Sequence, residues 1–235
     1  MGNEISIIYY RKKIENNLVI KLIKKIQLKI NTYNIIKSIN KKNFNVIYNK
    51  YINFDPYPGY SKYLNIKPWI VDMLWRIYIL KLDKRKNLNI LDIGTGNGYF
   101  PYCCKYFNHQ VESIDTDKNP LFNELINLLS IKRKTITIKK YQKLEPFNGK
   151  FDLITGFHIY FNGHRTTDLW GKDEWLFFLK DLKDNHCNTN AELFFILNKE
   201  HDTGLYYDND LLKFFLDTGA EVDVNRIYYP NLKSV

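Results

Sequence analysis

Between residues 89 and 100 the sequence reads NILDIGTGNGYF, and few ligands need these residue types at this spacing. Gly94, Gly96 and Gly98 alternate with Thr95 and Asn97, directly after an apolar run that carries Asp92. Alternating glycines let the backbone turn tightly and leave no side chain between it and a ligand. Where such a loop opens a helix, the first N–H groups and the positive end of the helix dipole suit a carboxylate or phosphate. Asp115 stands 23 residues beyond Asp92, where an acid can accept hydrogen bonds from two ribose hydroxyls. The pattern predicts a ligand with a ribose and an anionic group. A second cluster, His158, Asn162, His164, Arg165 and Asp168, falls within eleven residues. His158 is the first candidate for a general base or acceptor-orienting group, and His164 the second. Arg165, with Asn162 beside it, suits an anionic substrate group.

These residues need elements to hold them. From Asn87 onward short apolar runs alternate with helical runs. Strands are expected at 88–93, 110–115, 134–141, 151–161 and 191–198, with a strand or short hairpin closing the chain. Helices are expected near 98–107, 119–129, 171–186 and 209–219, the last capped by Gly219. Trp170 and Trp175 are expected to anchor the 171–186 helix. That alternation predicts a mostly parallel, doubly wound α/β sheet with helices on both faces. In such a sheet ligands bind past the C-terminal ends of the strands, where the glycine loop stands.

Ahead of the sheet, residues 12–40 carry a helical rhythm. Leu18, Val19, Leu22, Ile23, Ile26 and Ile30 recur at three- and four-residue steps, opposite Lys21, Lys24, Lys25 and Lys29. The simpler expectation is a helix packed on a core by its apolar stripe, with a solvated lysine face. The alternative is a helix for a membrane surface or an acidic partner. Residues 40–54 read as an Asn- and Lys-rich connection. Residues 55–69 form a Pro- and Gly-punctuated loop rich in tyrosine, and helical periodicity returns at 69–82. Residues 1–54 thus read as an N-terminal helical extension and 55–235 as the sheet domain.

Composition narrows the class. Charged residues are 26% and hydrophobic residues 45%, as in a folded protein. No run approaches the ~18 apolar residues of a membrane span. Arg11 to Lys13 interrupt the early apolar stretch, so no leader is expected. Three cysteines, with Cys103 and Cys104 adjacent, form neither a disulfide framework nor a metal knuckle and read as reduced thiols of a cytosolic protein. The net charge of +10 comes from lysine far more than arginine. It accompanies heavy use of Asn, Ile and Tyr, so composition bias explains it better than nucleic-acid binding, which leans on arginine.

Two ligands fit a glycine loop of this kind. A dinucleotide fingerprint is G-x-G-x-x-G, and Tyr99 stands where its third glycine belongs. The stretch LDIGTGNGYF instead resembles the first motif of the class I S-adenosylmethionine (SAM)-dependent methyltransferases, an acid followed by x-G-x-G-x-G. Asp92 discriminates, because a carboxylate there can meet the α-ammonium of SAM and has no such partner in a pyrophosphate. The resemblance covers about residues 87–200. It implies that Gly94, Thr95, Gly96 and Gly98 wrap the methionyl and ribose portions, that Asp115 takes the ribose hydroxyls, and that Thr116 or Asp117 borders the adenine. Phe157 is counted with this cofactor set. Lys140 stands where the family often has an acid for the adenine amino group, and an ammonium cannot accept a hydrogen bond. Gln142, or the backbone near Tyr141, is expected to serve instead. Tyr60, Lys62 and Tyr63 precede the first strand and are candidates to lie over the cofactor, by cation–π attraction to the sulfonium and, for Lys62, by meeting the methionyl carboxylate. The C-terminus looks short for the family's seventh strand, so a reduced sheet is expected there.

The family places acceptor chemistry after the fourth strand. That stretch lacks the N/D-P-P-Y/F tetrad of amino-methylating nucleic-acid enzymes and a His/Asp/Glu set for a metal. The expectation is O-methylation of a small polar metabolite, such as a sugar or glycan precursor. A macromolecule docked on the basic surface, nucleic acid included, is the less favoured alternative, and a non-catalytic SAM-binding regulatory module the third.

Overall fold

The structure, a computed structural model, describes residues 16–53, 59–159, 169–199 and 204–235. In chain order the helices and strands are α1 (Leu18–Ser38), α2 (Lys41–Tyr51), a 3-10 turn (Ser61–Leu64), α3 (Ile66–Ile79), β1 (Asn89–Ile93), α4 (Tyr99–Tyr106), β2 (Gln110–Asp115), α5 (Pro120–Leu128), β3 (Arg133–Thr135), β4 (Phe151–Ile159), α6 (Lys172–Asp181), β5 (Cys187–Leu197), α7 (Asn209–Asp217), β6 (Glu221–Asp223) and β7 (Arg226–Tyr229). The strands form one sheet in the order β3-β2-β1-β4-β5-β7-β6. The pairs β1–β4, β2–β3 and β4–β5 are parallel, and β7 runs antiparallel to both of its neighbours. This is the mostly parallel, Rossmann-like α/β sheet that the alternation predicts. By its contacts the chain divides into two compact units: Met1–Asn87 with Thr95–Thr135, and Leu88–Gly94 with Ile136–Val235.

In the first unit, short polar caps start the helices. Asn17, Asn40 and Asn119 each turn a side-chain oxygen onto a backbone N–H of the first turn. The Asn40 cap helps explain a correction. Residues 40–54, read above as a connection, contain helix α2, whose Ile47 and Tyr51 are buried and whose Tyr51 hydroxyl donates to Glu124 of α5 at 2.8 Å. Asparagine is a weak helix former inside a helix and a strong one at its start, so composition alone hid the element.

The second correction concerns α1. Its apolar stripe does not face the core. Leu18, Val19, Leu22, Ile23, Ile26, Ile30 and Tyr33 are all exposed, and the helix docks on α3 by the other side. There Lys24 is 4% exposed, its Nζ lies 2.5 Å from Asp83 and it sits over the Tyr78 ring. Asn31 donates to the Tyr78 hydroxyl, and Ile35 is fully buried. A polar pattern with fixed partners has outcompeted a hydrophobic one, which periodicity cannot register.

In the second unit, Trp175 is buried against Phe195 and Phe215, and Trp170 packs on Trp175, so both tryptophans anchor α6 as expected. Two strand expectations are corrected. Of the 134–141 run only Lys134 and Thr135 pair, in the first unit's strand Arg133–Thr135, because the register ends where β2 ends, at Asp115↔Thr135. At the other edge the sheet is not reduced. A tight turn at Val224 and Asn225 lets β6 and β7 form within nine residues, and β7 pairs with β5 from Leu193↔Tyr229 to Ile196↔Arg226.

Candidate functional site

Gly94 belongs to the second unit and Thr95 to Gly98 to the first. In the first unit, Asp115 at the C-terminal end of β2 holds the loop. Its Oδ2 accepts from Gly96 N–H and its Oδ1 from Thr116 N–H, each at 2.6 Å. Burial pushes the Asp115 carboxyl above its ordinary range, against the opposing pull of those two donors and of Arg133. A carboxylate has about four lone-pair positions, so each oxygen keeps capacity for one more donor. Thr95 is buried, and its Oγ1 has no hydrogen-bond partner. A buried hydroxyl in a glycine loop keeps both its donor and its acceptor capacity for a polar group brought to the loop. Thr116 and the exposed Asp117 follow directly, and this turn is braced from below. Arg133 donates to the Thr116 carbonyl and to Asn123, and Asn123 donates to the Asp117 carbonyl.

The free helix end foreseen after the loop is partly taken. Asn97 accepts from Tyr99 N–H at 3.0 Å, capping α4 from within the loop. Gly98 sits at φ +78°, and a Cβ there would come 2.9 Å from Ile126. The tyrosine segment lies on the same side of the unit. The Tyr99 hydroxyl donates to the Tyr63 carbonyl, and burial pushes that phenol far up. Phe122, on the first turn of α5, packs on Tyr60 and Tyr63 with ring centroids 5.2 and 5.1 Å apart, and its ring lies 3.7 Å from where a Cβ on Gly96 would stand. Tyr60 and Tyr63 are thereby tied to the loop, while Lys62 lies exposed over the Tyr63 and Trp69 rings. Phe122 escaped the sequence reading, although its place three residues after the Asn119 cap was visible.

In the second unit, the residues stand at the C-terminal ends of three parallel neighbours. Asp92, 2% exposed near the end of β1, accepts from the Thr155 hydroxyl of β4 at 2.9 Å. Gly94 sits at φ +71°, and a Cβ there would lie 1.8 Å from Cγ2 of Ile159, so only glycine fits. His158 is exposed, at φ +57°, where the β4–β5 register slips. Such a conformation costs a side-chain residue about 1–2 kcal/mol and marks a position held for a reason other than local comfort. Asn198, just past β5, holds it twice: its Nδ2 donates to the His158 carbonyl at 2.7 Å, and its Oδ1 meets His158 Nδ1 at 3.1 Å. The first bond fixes which end of the amide faces the ring, so Nδ1 is the donor to Oδ1, and in the neutral ring the lone pair falls on Nε2. Asn198 also escaped the sequence reading; its only sign was a polar residue after the apolar run FFIL.

Tyr141 and Gln142 also lie in this unit. The Tyr141 hydroxyl donates to Glu174 of α6, and Gln142 N–H closes a turn on the Lys139 carbonyl. Lys140, where the family has an acid, donates to the Leu169 carbonyl. Phe157 is half-buried and packs edge-on to Phe194. His164, Asn162, Arg165 and Asp168 lie outside the described residues, as do residues 55–58 of the tyrosine loop.

No family model matches the chain, and no curated protein matches it. Similar solved structures include a SAM-dependent methyltransferase from Aquifex aeolicus, 24% identical over 64% of this chain and 86% of that one, with a TM-score of 0.43. Another is a SAM-bound amino pentose methyltransferase from Micromonospora echinaspora, 13% identical over 55% of this chain and 51% of that one, also at 0.43. A third is a ribosomal protein L11 methylase from Lactobacillus delbrueckii subsp. bulgaricus, 17% identical over 66% and 75%, at 0.41. The chain thus spans about half of the amino pentose enzyme. With a seven-stranded sheet whose β7 alone lies antiparallel between β5 and β6, and an acid-led glycine loop after β1, the chain has a mostly parallel, Rossmann-like α/β fold.

Proposed function

We propose that this protein is a SAM-dependent methyltransferase that methylates a small polar metabolite on oxygen, with a sugar or glycan-precursor hydroxyl as the acceptor. Asp115 carries the reading. It is a half-buried carboxylate already fixed by two loop N–H groups, with one acceptor position left on each oxygen, the complement of a ribose diol. Thr95 Oγ1 supports it as an unmatched polar atom in the same loop. In this reading Gly94, Thr95, Gly96 and Gly98 enclose the methionyl and ribose portions, and Asp92 meets the α-ammonium. Thr116, Asp117, Gln142 and the backbone at Tyr141 border the adenine. Tyr60 and Tyr63 are the candidates to lie over the cofactor, Phe157 is counted with the cofactor set, and Lys62 is assigned to the methionyl carboxylate. Residues 55–235 form the catalytic domain, with 1–54 as an extension.

When bound, SAM supplies an electrophilic methyl group on a sulfonium. The protein's own task is to align the acceptor oxygen and remove its proton. His158 serves as the base: Asn198 fixes the tautomer that leaves a lone pair on Nε2. His164 is the second candidate, and Asn162 and Arg165 orient the acceptor.

The test is calorimetric titration with SAM, with S-adenosylhomocysteine and with NAD. Binding of both adenosyl ligands and not NAD supports the reading. Binding of NAD alone moves the protein to the oxidoreductases, and binding of none removes the cofactor. Turnover that falls steeply as salt rises would point to a macromolecular acceptor instead.

A further inference from the structure

Helix α1 is built with its apolar side to solvent. At about 100° per residue, Leu18, Val19, Leu22, Ile23, Ile26, Ile30 and Tyr33 fall within an arc of about 140°. Every one of them is at least 50% exposed. The opposite face, through Lys24, Asn31, Thr32 and Ile35, is the one docked on the rest of its unit. Lys21, Lys25 and Lys29 are exposed; the first two border one edge of the stripe and Lys29 lies just inside it. From Asn16 to Asn53 the sequence holds eight lysines and neither Asp nor Glu. A codon bias towards lysine does not remove acids, so this segment carries a charge character of its own.

We propose that α1 is a docking helix for an anionic lipid surface. The stripe would lie in the headgroup–acyl boundary with its lysines reaching lipid phosphates. No described helix is long and apolar enough to cross a membrane, so the contact is with one face only. Two features favour lipid over another protein. The strip is about 22 Å long on a helix about 10 Å wide, some 200 Å², against the about 800 Å² per partner of a stable protein interface. It is also convex and single, and a fluid surface accepts such a shape without a matching groove. A second copy would bring a further Lys21, Lys25 and Lys29 to the same seam, and α1 has no acid to pair them. The inference is independent of the methyl-transfer reading.

The experiment is flotation of the full chain with vesicles of phosphatidylcholine alone or mixed with phosphatidylserine. Binding to the mixed vesicles that weakens with salt, and little to neutral ones, is expected. Lys21→Gln with Lys25→Gln and Lys29→Gln should lower affinity about a hundredfold. Leu22→Asn with Ile26→Asn should lower it about tenfold or more. All five residues are exposed, so the melting temperature should not move for the lysine variant and should fall for the asparagine pair only by the small cost of asparagine inside a helix. Absence of binding to mixed vesicles overturns the proposal. So does equal binding to both vesicle types, or binding to vesicles and to polyglutamate alike that the Leu22/Ile26 pair does not reduce. A solution dimer that this pair dissociates, without vesicle binding, assigns the stripe to a second copy and overturns it too.

Discussion

Replacing Asp115 with Asn removes one charge and almost no volume, so it isolates the carboxylate. Each carboxylate oxygen accepts one loop N–H at 2.6 Å and keeps room for one ligand hydroxyl. A hydrogen bond to a charged acceptor contributes about 1.5–3 kcal/mol, so the diol gains about 3–6 kcal/mol from the pair. The amide keeps one oxygen, worth about 1 kcal/mol to a hydroxyl, and turns an NH₂ towards the other. The loss is about 2–5 kcal/mol, or about 30- to 4000-fold in Kd. Titration of wild type and variant with S-adenosylhomocysteine, and with its dideoxyribose analogue, reads this directly. The variant should bind the natural ligand as weakly as wild type binds the analogue. Binding of the natural ligand within about threefold of wild type would refute the reasoning. The pH dependence is a second arm. Burial raises the Asp115 pKa, so the acceptor is lost to protonation at a pH above the usual carboxylate range of about 3.9, and affinity should fall there as pH drops. For the unliganded protein the sign is opposite. A raised folded pKa gives a contribution to stability that is fully present below the unfolded value and lost as pH rises through the folded one. Near neutral pH the ionised Asp115 is therefore a cost that a bound diol offsets.

Four further outcomes are expected. Gly94→Ala combines a left-handed backbone with overlap onto Ile159 and should destabilise by about 2–4 kcal/mol in denaturant unfolding; a change under about 1 kcal/mol would contradict the packing. Lys24→Met strands Asp83 beneath α1 and should cost about 3–5 kcal/mol, much of it recovered by adding Asp83→Leu. His158→Ala should leave S-adenosylhomocysteine affinity unchanged and lower turnover about 10²–10⁴-fold, and unchanged turnover would remove it from the mechanism. Cys103, Cys104 and Cys187 are all buried, with the Cys187 thiol pushed up to about 12 by burial, so alkylation at neutral pH should label none before unfolding and all three after.

The sequence by itself determined the sheet and the loop. Strand and helix periods differ, and the glycines follow an apolar run that ends in Asp92, so the alternation of the sheet's elements and the place of the loop at the end of β1 were both legible. Legibility ended where a residue's role depends on what lies across the fold. Asn198 reads as a polar residue after a strand until β4 and β5 pair and set it against His158. Phe122 reads as an ordinary helix residue until α5 brings it against Tyr60 and Tyr63. Helix α1 shows the limit most sharply. Its period was read correctly and its orientation was not, because a hydrophobic stripe states that a helix has two faces and not which one its neighbours take. Asp83 and Tyr78 settled that by claiming Lys24 and Asn31. A buried ion pair and a hydrogen bond across about 50 residues of sequence have no signature in local periodicity, so tertiary structure alone decided which side of α1 faces the solvent.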